Sequence, residues 1–266
     1  MRKNILFLSS IFSLLIMAAC SVIPTVPPSQ PISPTATTPN GMPISFGNVS
    51  LVIPTGLAGG ASFATSVDVE YPYINPSFGD MPEHTVITLN GYSLQGGIPR
   101  ILIFPADHYS QYTELTQKII AALQAFPVQS SDQVPADLAT TFFAQTKRLA
   151  NGNATGLRYL TEVLTGVAPI NNKDIFYYYQ GLTSDGKYFI QAVIPVNADF
   201  LVADSNPSSV IPADGIPFPF DTLSDANATQ NYYNAVQVKL NSTDLSAFTP
   251  SLSLLDELIQ SIHVSP

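Results

Sequence analysis

Two hydrophobic periods alternate along most of the chain. From Ile44 to Ile53 (ISFGNVSLVI) the pattern is β-rich, and Pro54-Thr55-Gly56 closes it with a turn signal. Ser62–Tyr71 alternates through Phe63, Thr65, Val67 and Val69, which predicts a second strand. Thr85–Leu89 and Arg100–Phe104 are short β-type runs between glycines and prolines. The period then lengthens. Tyr112, Leu115, Ile119, Leu123 and Phe126 recur at three- and four-residue steps, which predicts one helix over Asp107–Phe126, capped by Asp107 and stopped by Pro127. A short helix is expected near 136–148 and a strand over Leu157–Leu164.

Asp174–Val196 carries the sharpest pattern. Ile175, Tyr177 and Tyr179 fall on one face and Phe176, Tyr178 and Gln180 on the other; the return strand runs through Tyr188, Ile190, Ala192 and Ile194. Asp185-Gly186 between them predicts a hairpin with a type I′ turn. Residues 199–225 form an excursion with five aspartates (199, 204, 214, 221 and 225), four prolines and no base. Ala226–Asn241 reads as a helix through Tyr232, Val236 and Leu240. Thr249-Pro250 is expected to open a last helix as cap and first position, with Leu252, Leu255, Leu258, Ile259 and Ile262 as its apolar stripe. The class predicted is α+β: an antiparallel sheet with one long internal helix and C-terminal helices packed on it.

The N-terminal stretch has no such period. Arg2 and Lys3 precede an apolar run over residues 5–16 (ILFLSSIFSLLI), and the small residues Ala18 and Ala19 precede Cys20. This is the layout of an export signal, too short to span a bilayer, which takes about 20 apolar residues. Residues 21–43 hold seven prolines, four threonines, three serines and no charge. Such a segment favours extended polyproline-like conformations, and at about 3.1 Å per residue it reaches roughly 70 Å. The expected division is a signal at 1–19, a tether at 20–43 and one α+β domain at 44–266.

Met17-Ala18-Ala19-Cys20 resembles the bacterial lipoprotein lipobox. The resemblance implies cleavage before Cys20, a diacylglyceryl thioether on its sulfur (the lipidation site) and acylation of the new amino group. Several acyl chains, at about 0.8 kcal/mol per buried methylene, anchor stably where one would not. Ser21 stands where aspartate would retain the protein in an inner membrane, so in a two-membrane cell the resemblance favours the outer membrane. A second resemblance lies in the domain. Val49–Gly56 looks like the strand-proline-turn opening of PsbP-like domains. Leu255–Ile262 is similar to their last helix, and Asp185–Tyr188 fits their late hairpin. It implies an α/β/α sandwich, with 71–84, 128–152 and 199–225 as insertions, and it carries no catalytic residue. The tyrosine-rich central hairpin also resembles uncharacterised exported bacterial lipoproteins.

Composition narrows the chemistry. In 266 residues, 45% are hydrophobic and only 11% charged, with a net charge of -9. Ten Lys+Arg against nineteen Asp+Glu supply no basic surface for a phosphate backbone, which argues against nucleic acid as a partner. Cleavage would remove Arg2 and Lys3 and deepen the charge to -11, and an acidic body stands off anionic headgroups. The single cysteine excludes an internal disulfide.

Candidate chemistry is sparse. Cys20 is taken by the anchor, His84, His108 and His263 are isolated in sequence, and no nucleophile elbow, phosphate loop or zinc-type spacing occurs. His84, next to Glu83, and His108 are the candidate bases, with a structural role the expectation for each. Tyr177 and Tyr179, with Tyr188 opposite, are candidates for an aromatic ligand-binding platform. Asp204, Asp214 and Asp221 are candidate calcium ligands, without the spacing of a calcium loop. The leading expectation is a non-catalytic, membrane-anchored envelope lipoprotein without a cofactor, working by contact with a protein partner. A small-ligand, sugar or calcium-binding module and an unrecognised hydrolase are the alternatives.

Overall fold

A computed structural model describes residues 40–68, 80–94, 97–126, 142–163 and 166–266. All described elements and both hydrophobic cores lie within the compact unit Pro39–Pro266. The class is α+β. A seven-stranded antiparallel sheet runs in the order β3 (Gly60–Ser66), β4 (His84–Asn90), β5 (Arg100–Pro105), β9 (Tyr188–Pro195), β8 (Phe176–Thr183), β7 (Ala154–Thr161), β6 (Ala144–Ala150). A smaller sheet orders β1 (Gly41–Phe46), β2 (Val49–Pro54) and β12 (His263–Val264), and β10 (Asn197–Ala198) pairs with β11 (Phe248–Thr249).

Side-chain alternation sorts the large sheet's residues between two cores. Tyr177, Tyr179, Ile190, Ala192 and Ile194 join β2, α3 (Ala226–Ser242) and α4 (Leu252–Ser261) on one face. Phe176, Tyr178, Leu182, Phe189 and Val193 join α1 (Ala106–Tyr112) and α2 (Glu114–Ala125) on the other. Because both faces are covered, all eight residues of β8 are buried. The hairpin and its facing assignment are as the alternation predicts. Its turn is not type I′: Gly186 alone has a positive φ, at 72°, and its N–H bonds to the Thr183 carbonyl.

Several expectations are corrected. Ile44–Ile53 is two strands, hinged at Gly47, and the first begins at Gly41 rather than Ile44. The second predicted strand ends at Ser66; residues 69–71 lie outside the described ones. The long internal helix is two helices broken at Thr113, whose hydroxyl accepts from the Thr116 N–H while the Thr116 hydroxyl accepts from the Thr113 N–H. That capping box starts α2 afresh, so Thr116, Ile119, Ile120 and Leu123 are buried and Leu115 is exposed. The expected cap Asp107 lies inside α1, behind Pro105. The short helix expected near 136–148 is strand β6 over 144–148, with 142–143 irregular and 136–141 outside the described residues; 128–152 is therefore no mere insertion. The last helix is capped by Ser251, with Thr249-Pro250 a cis peptide before it. Its predicted stripe is buried throughout, as is that of α3.

Candidate functional site

The central polar cluster sits where β6, β7, β8 and α4 meet. Arg158 of β7 is only 1% exposed, among the largest buried side chains of the protein. Its Nε donates to Asp256 Oδ1 at 3.0 Å and its Nη2 to Oδ2 at 3.2 Å, a two-pronged pair with a carboxylate on α4. The Tyr177 hydroxyl donates to the same Oδ1 at 3.1 Å, and Lys147 Nζ donates to Oδ2 at 2.9 Å from the solvent side. Arg158 Nη1 donates to the Gln145 carbonyl. Burial, with the Asp256 charge adding to it, holds the Tyr177 hydroxyl far above its ordinary pKa, so it is a fixed donor and no acid.

Gln145 has a φ of 54°, in the left-handed region, at a break in the β6–β7 register. The bulge turns its side chain toward α3. Nε2 donates to the Leu240 and Thr243 carbonyls at 2.7 and 2.8 Å, and its N–H is accepted by Asn241 Oδ1 at 2.6 Å. Orphan carbonyls at the end of α3 are thereby satisfied. The sequence held two signals for the cluster that its apolar pattern concealed. Arg158 interrupts Leu157–Leu160, and Asp256 falls on the buried stripe of α4, four residues after Leu252.

A second polar cluster follows β7. Glu162 is fully buried and accepts from Asn171 twice, from its N–H at 3.1 Å and its Nδ2 at 3.2 Å. Asn171 Nδ2 also donates to Asp174 Oδ2 at 3.0 Å. Burial raises the Glu162 pKa well above the usual carboxylate value; the Asn171 N–H opposes the rise and the Asp174 charge adds to it. The neighbouring Tyr232 hydroxyl accepts from the Ile170 N–H at 3.1 Å. A narrow notch of about 10 Å³ beside Asp174, lined by Gly97, Lys173, Phe176 and Pro195, has room for about one water and none for a sugar.

The predicted tyrosine platform does not form. Tyr177 and Tyr179 are completely buried, and opposite the Tyr177–Tyr179 run lie Ile194, Val193 and Ala192 rather than Tyr188. Tyr188 stands half-buried at the far end of the hairpin, where its N–H donates to Thr183 Oγ1. Tyr179 folds over Gly181 so closely that a Cβ there would lie 2.2 Å from its hydroxyl.

The three candidate calcium ligands are not brought together either. Asp204 accepts from the Asn206 N–H and the Ser209 hydroxyl, and the Ser209 bond is the main reason its carboxyl lies below the usual range. Asp214 is used through its main-chain carbonyl, which accepts from Lys239 Nζ, and Asp221 lies exposed in a short 3-10 turn. Among the described residues no group of three His, Cys, Asp or Glu side chains is placed to hold a metal.

Of the histidines, His84 is buried, stacked on Phe104 at 4.4 Å, and donates from Nδ1 to the Pro82 carbonyl at 2.8 Å. That bond fixes the tautomer with Nε2 bare, and Nε2 meets no donor. Burial lowers its pKa, against smaller opposing effects of the Pro82 carbonyl and Asp68. His108 and His263 are exposed on other elements. Cys20 lies outside the described residues. No described helix is long and apolar enough to cross a membrane. Set beside protein-family models, curated proteins and solved structures, the chain matches none of them.

Proposed function

We propose that the chain is a membrane-anchored extracytoplasmic lipoprotein whose folded domain works by contact with other proteins rather than by catalysis. The observation that carries this reading is Cys20 in Met17-Ala18-Ala19-Cys20, directly behind the basic and apolar signal-like run. Support comes from the uncharged, proline-rich stretch between Cys20 and the first strand at Gly41, which suits a spacer.

The test is expression of the full chain in bacteria fed an alkyne-tagged fatty acid. The wild type is expected to take up label and to start at an acylated residue 20, while Cys20→Ala is expected to lose both. A wild-type chain with a free Cys20 thiol, or label retained in Cys20→Ala, overturns the anchor. Proximity labelling from the anchored domain that returns no reproducible protein neighbour overturns the contact role.

A further inference from the structure

We infer that strand β3 pairs with β3 of a second copy of this chain, joining two seven-stranded sheets edge to edge. Gly60–Ser66 is an outer strand, paired with β4 through seven consecutive residues without a register shift. No main-chain hydrogen bond from its open side is made to another described residue, although alternate N–H and C=O groups of an edge strand point outward. Sheet edges are commonly guarded by a charge, a proline or a bulge, and GASFATS contains none of these.

Charge says which occupant fits. The protein carries -9 overall, yet residues 41–67 contain no charged side chain, and β4 contains none besides a His84 that burial keeps neutral. An uncharged edge sets no like charges against each other when two acidic copies meet. A basic partner would be drawn to the acidic remainder instead.

The strand is also suited to pairing with itself. In an antiparallel pair centred on Phe63, Phe63 faces Phe63 of the other copy, Ala61 faces Thr65, and Ser62 faces Ala64. Ala61 and Phe63 lie on the face that carries the larger core, so the pairing continues that face from one sheet into the next. Phe46, 47% exposed, stacks on Phe63 at 5.1 Å between ring centres, and Met42 on the same small sheet is equally exposed. The two-fold axis thus brings aromatic side chains of both copies together, the kind of cross-strand pair that stabilises a sheet.

The inference goes beyond the lipoprotein reading and is tested without the anchor, so failure of one leaves the other standing. The sample is Pro39–Pro266, which contains every element and both cores. A short edge contact is expected to dissociate at concentrations on the order of micromolar, so sedimentation equilibrium is run from about 1 to 200 µM. The wild type is expected to reach twice the monomer mass. Ala64→Lys and Thr65→Lys place a charge on exposed positions of β3 and are expected to weaken association at least tenfold while keeping a cooperative melt. Ala64→Cys together with Ser62→Cys is expected to give a disulfide-linked dimer on mild oxidation, as the register requires. A wild type that stays monomeric throughout, or a dimer unchanged in both lysine variants, overturns the inference.

Discussion

The two edges of the large sheet are built in opposite ways. At β6 both a bulge and charge close the edge. The left-handed Gln145 makes a bulge, Lys147 and Arg148 add charge, and each of the three is bonded to a different helix. Gln145 holds the end of α3, Lys147 reaches Asp256 on α4, and Arg148 donates to the Phe126 carbonyl at the end of α2 with its guanidinium 4.1 Å from that ring. At β3 none of this exists. Its side-chain bonds are local ones, Ser62 to Asn90 of the neighbouring strand and the Asp68 N–H to Ser66. Among the described residues, one edge is tied to three helices, and the other meets the rest of the chain through the stacking of Phe46 on Phe63.

The largest effect that would break the comparison is removal of Asp256. Arg158 would then be left charged in the interior without a counter-charge, keeping the Gln145 carbonyl and the face of the Tyr177 ring. Breaking a buried pair from one side costs about 3–5 kcal/mol, whereas replacing both partners with apolar residues of similar size is often neutral. Asp256→Ala is therefore expected to lower stability by that amount in denaturant titration, and Arg158→Met with Asp256→Leu to recover most of it. If the double variant is as unstable as the single one, the cluster matters through its hydrogen-bond geometry and not through the uncompensated charge. The β6 edge should loosen in Asp256→Ala while β3 keeps its hydrogen-exchange protection.

Acid and alkali should separate the two sides next. His84 opens β4, beside β3, and its folded pKa is lowered from 6.5 by burial. The unfolded chain binds that proton more readily, so the contribution of His84 is present above pH 6.5 and is lost as pH falls through the folded pKa. Glu162 follows β7, beside β6, and its folded pKa is raised from 4.5. Its contribution is present below pH 4.5 and is lost as pH rises through the folded value. Between 4.5 and 6.5 the two oppose each other, so they are resolved by variants. Denaturation midpoints from pH 4.5 to 9 should lose their acid-side fall in His84→Phe and their alkaline-side fall in Glu162→Gln. An acid arm that persists unchanged in His84→Phe would place the acid-sensitive group elsewhere.

The same asymmetry explains what could be read from sequence. Alternation located the β8–β9 hairpin because both cores press on it, and the α4 stripe was equally plain. Edge strand β6 reads as helix because Ala-Gln-Thr-Lys-Arg-Leu-Ala has no apolar alternation and fair helix propensity. What makes it a strand is the bonding of Gln145, Lys147 and Arg148 to helices distant in sequence. The break in the internal helix was written in Thr113 and Thr116, but a threonine in place of glutamate hides a capping box. The tyrosine platform failed for a related reason. Alternation assigns faces and cannot say that both will be covered, and any hairpin turning at Asp185-Gly186 sets Tyr188 level with Thr183, away from the Tyr177–Tyr179 run. The lipobox-like run Met17–Cys20 is local in sequence, and its pattern does not depend on the fold.

The smallest effect concerns Lys147, the exposed arm of the buried cluster. Its ammonium is 2.9 Å from Asp256, as close as Arg158, but its side chain is 49% exposed where that of Arg158 is 1%. Water screens the pair and can replace it, so Lys147→Ala is expected to cost no more than about 1 kcal/mol, and less as salt is raised. The same substitution removes a charge from the β6 edge. If charge alone guarded that edge, Lys147→Ala would open a second association surface, and the protein would form chains rather than closed dimers. The Gln145 bulge and the Arg148 contact to α2 remain in the variant, so light scattering should show no species larger than the wild type forms. Growth of longer assemblies in Lys147→Ala would mean that the two edges differ by a single ammonium group and not by the backbone of β6.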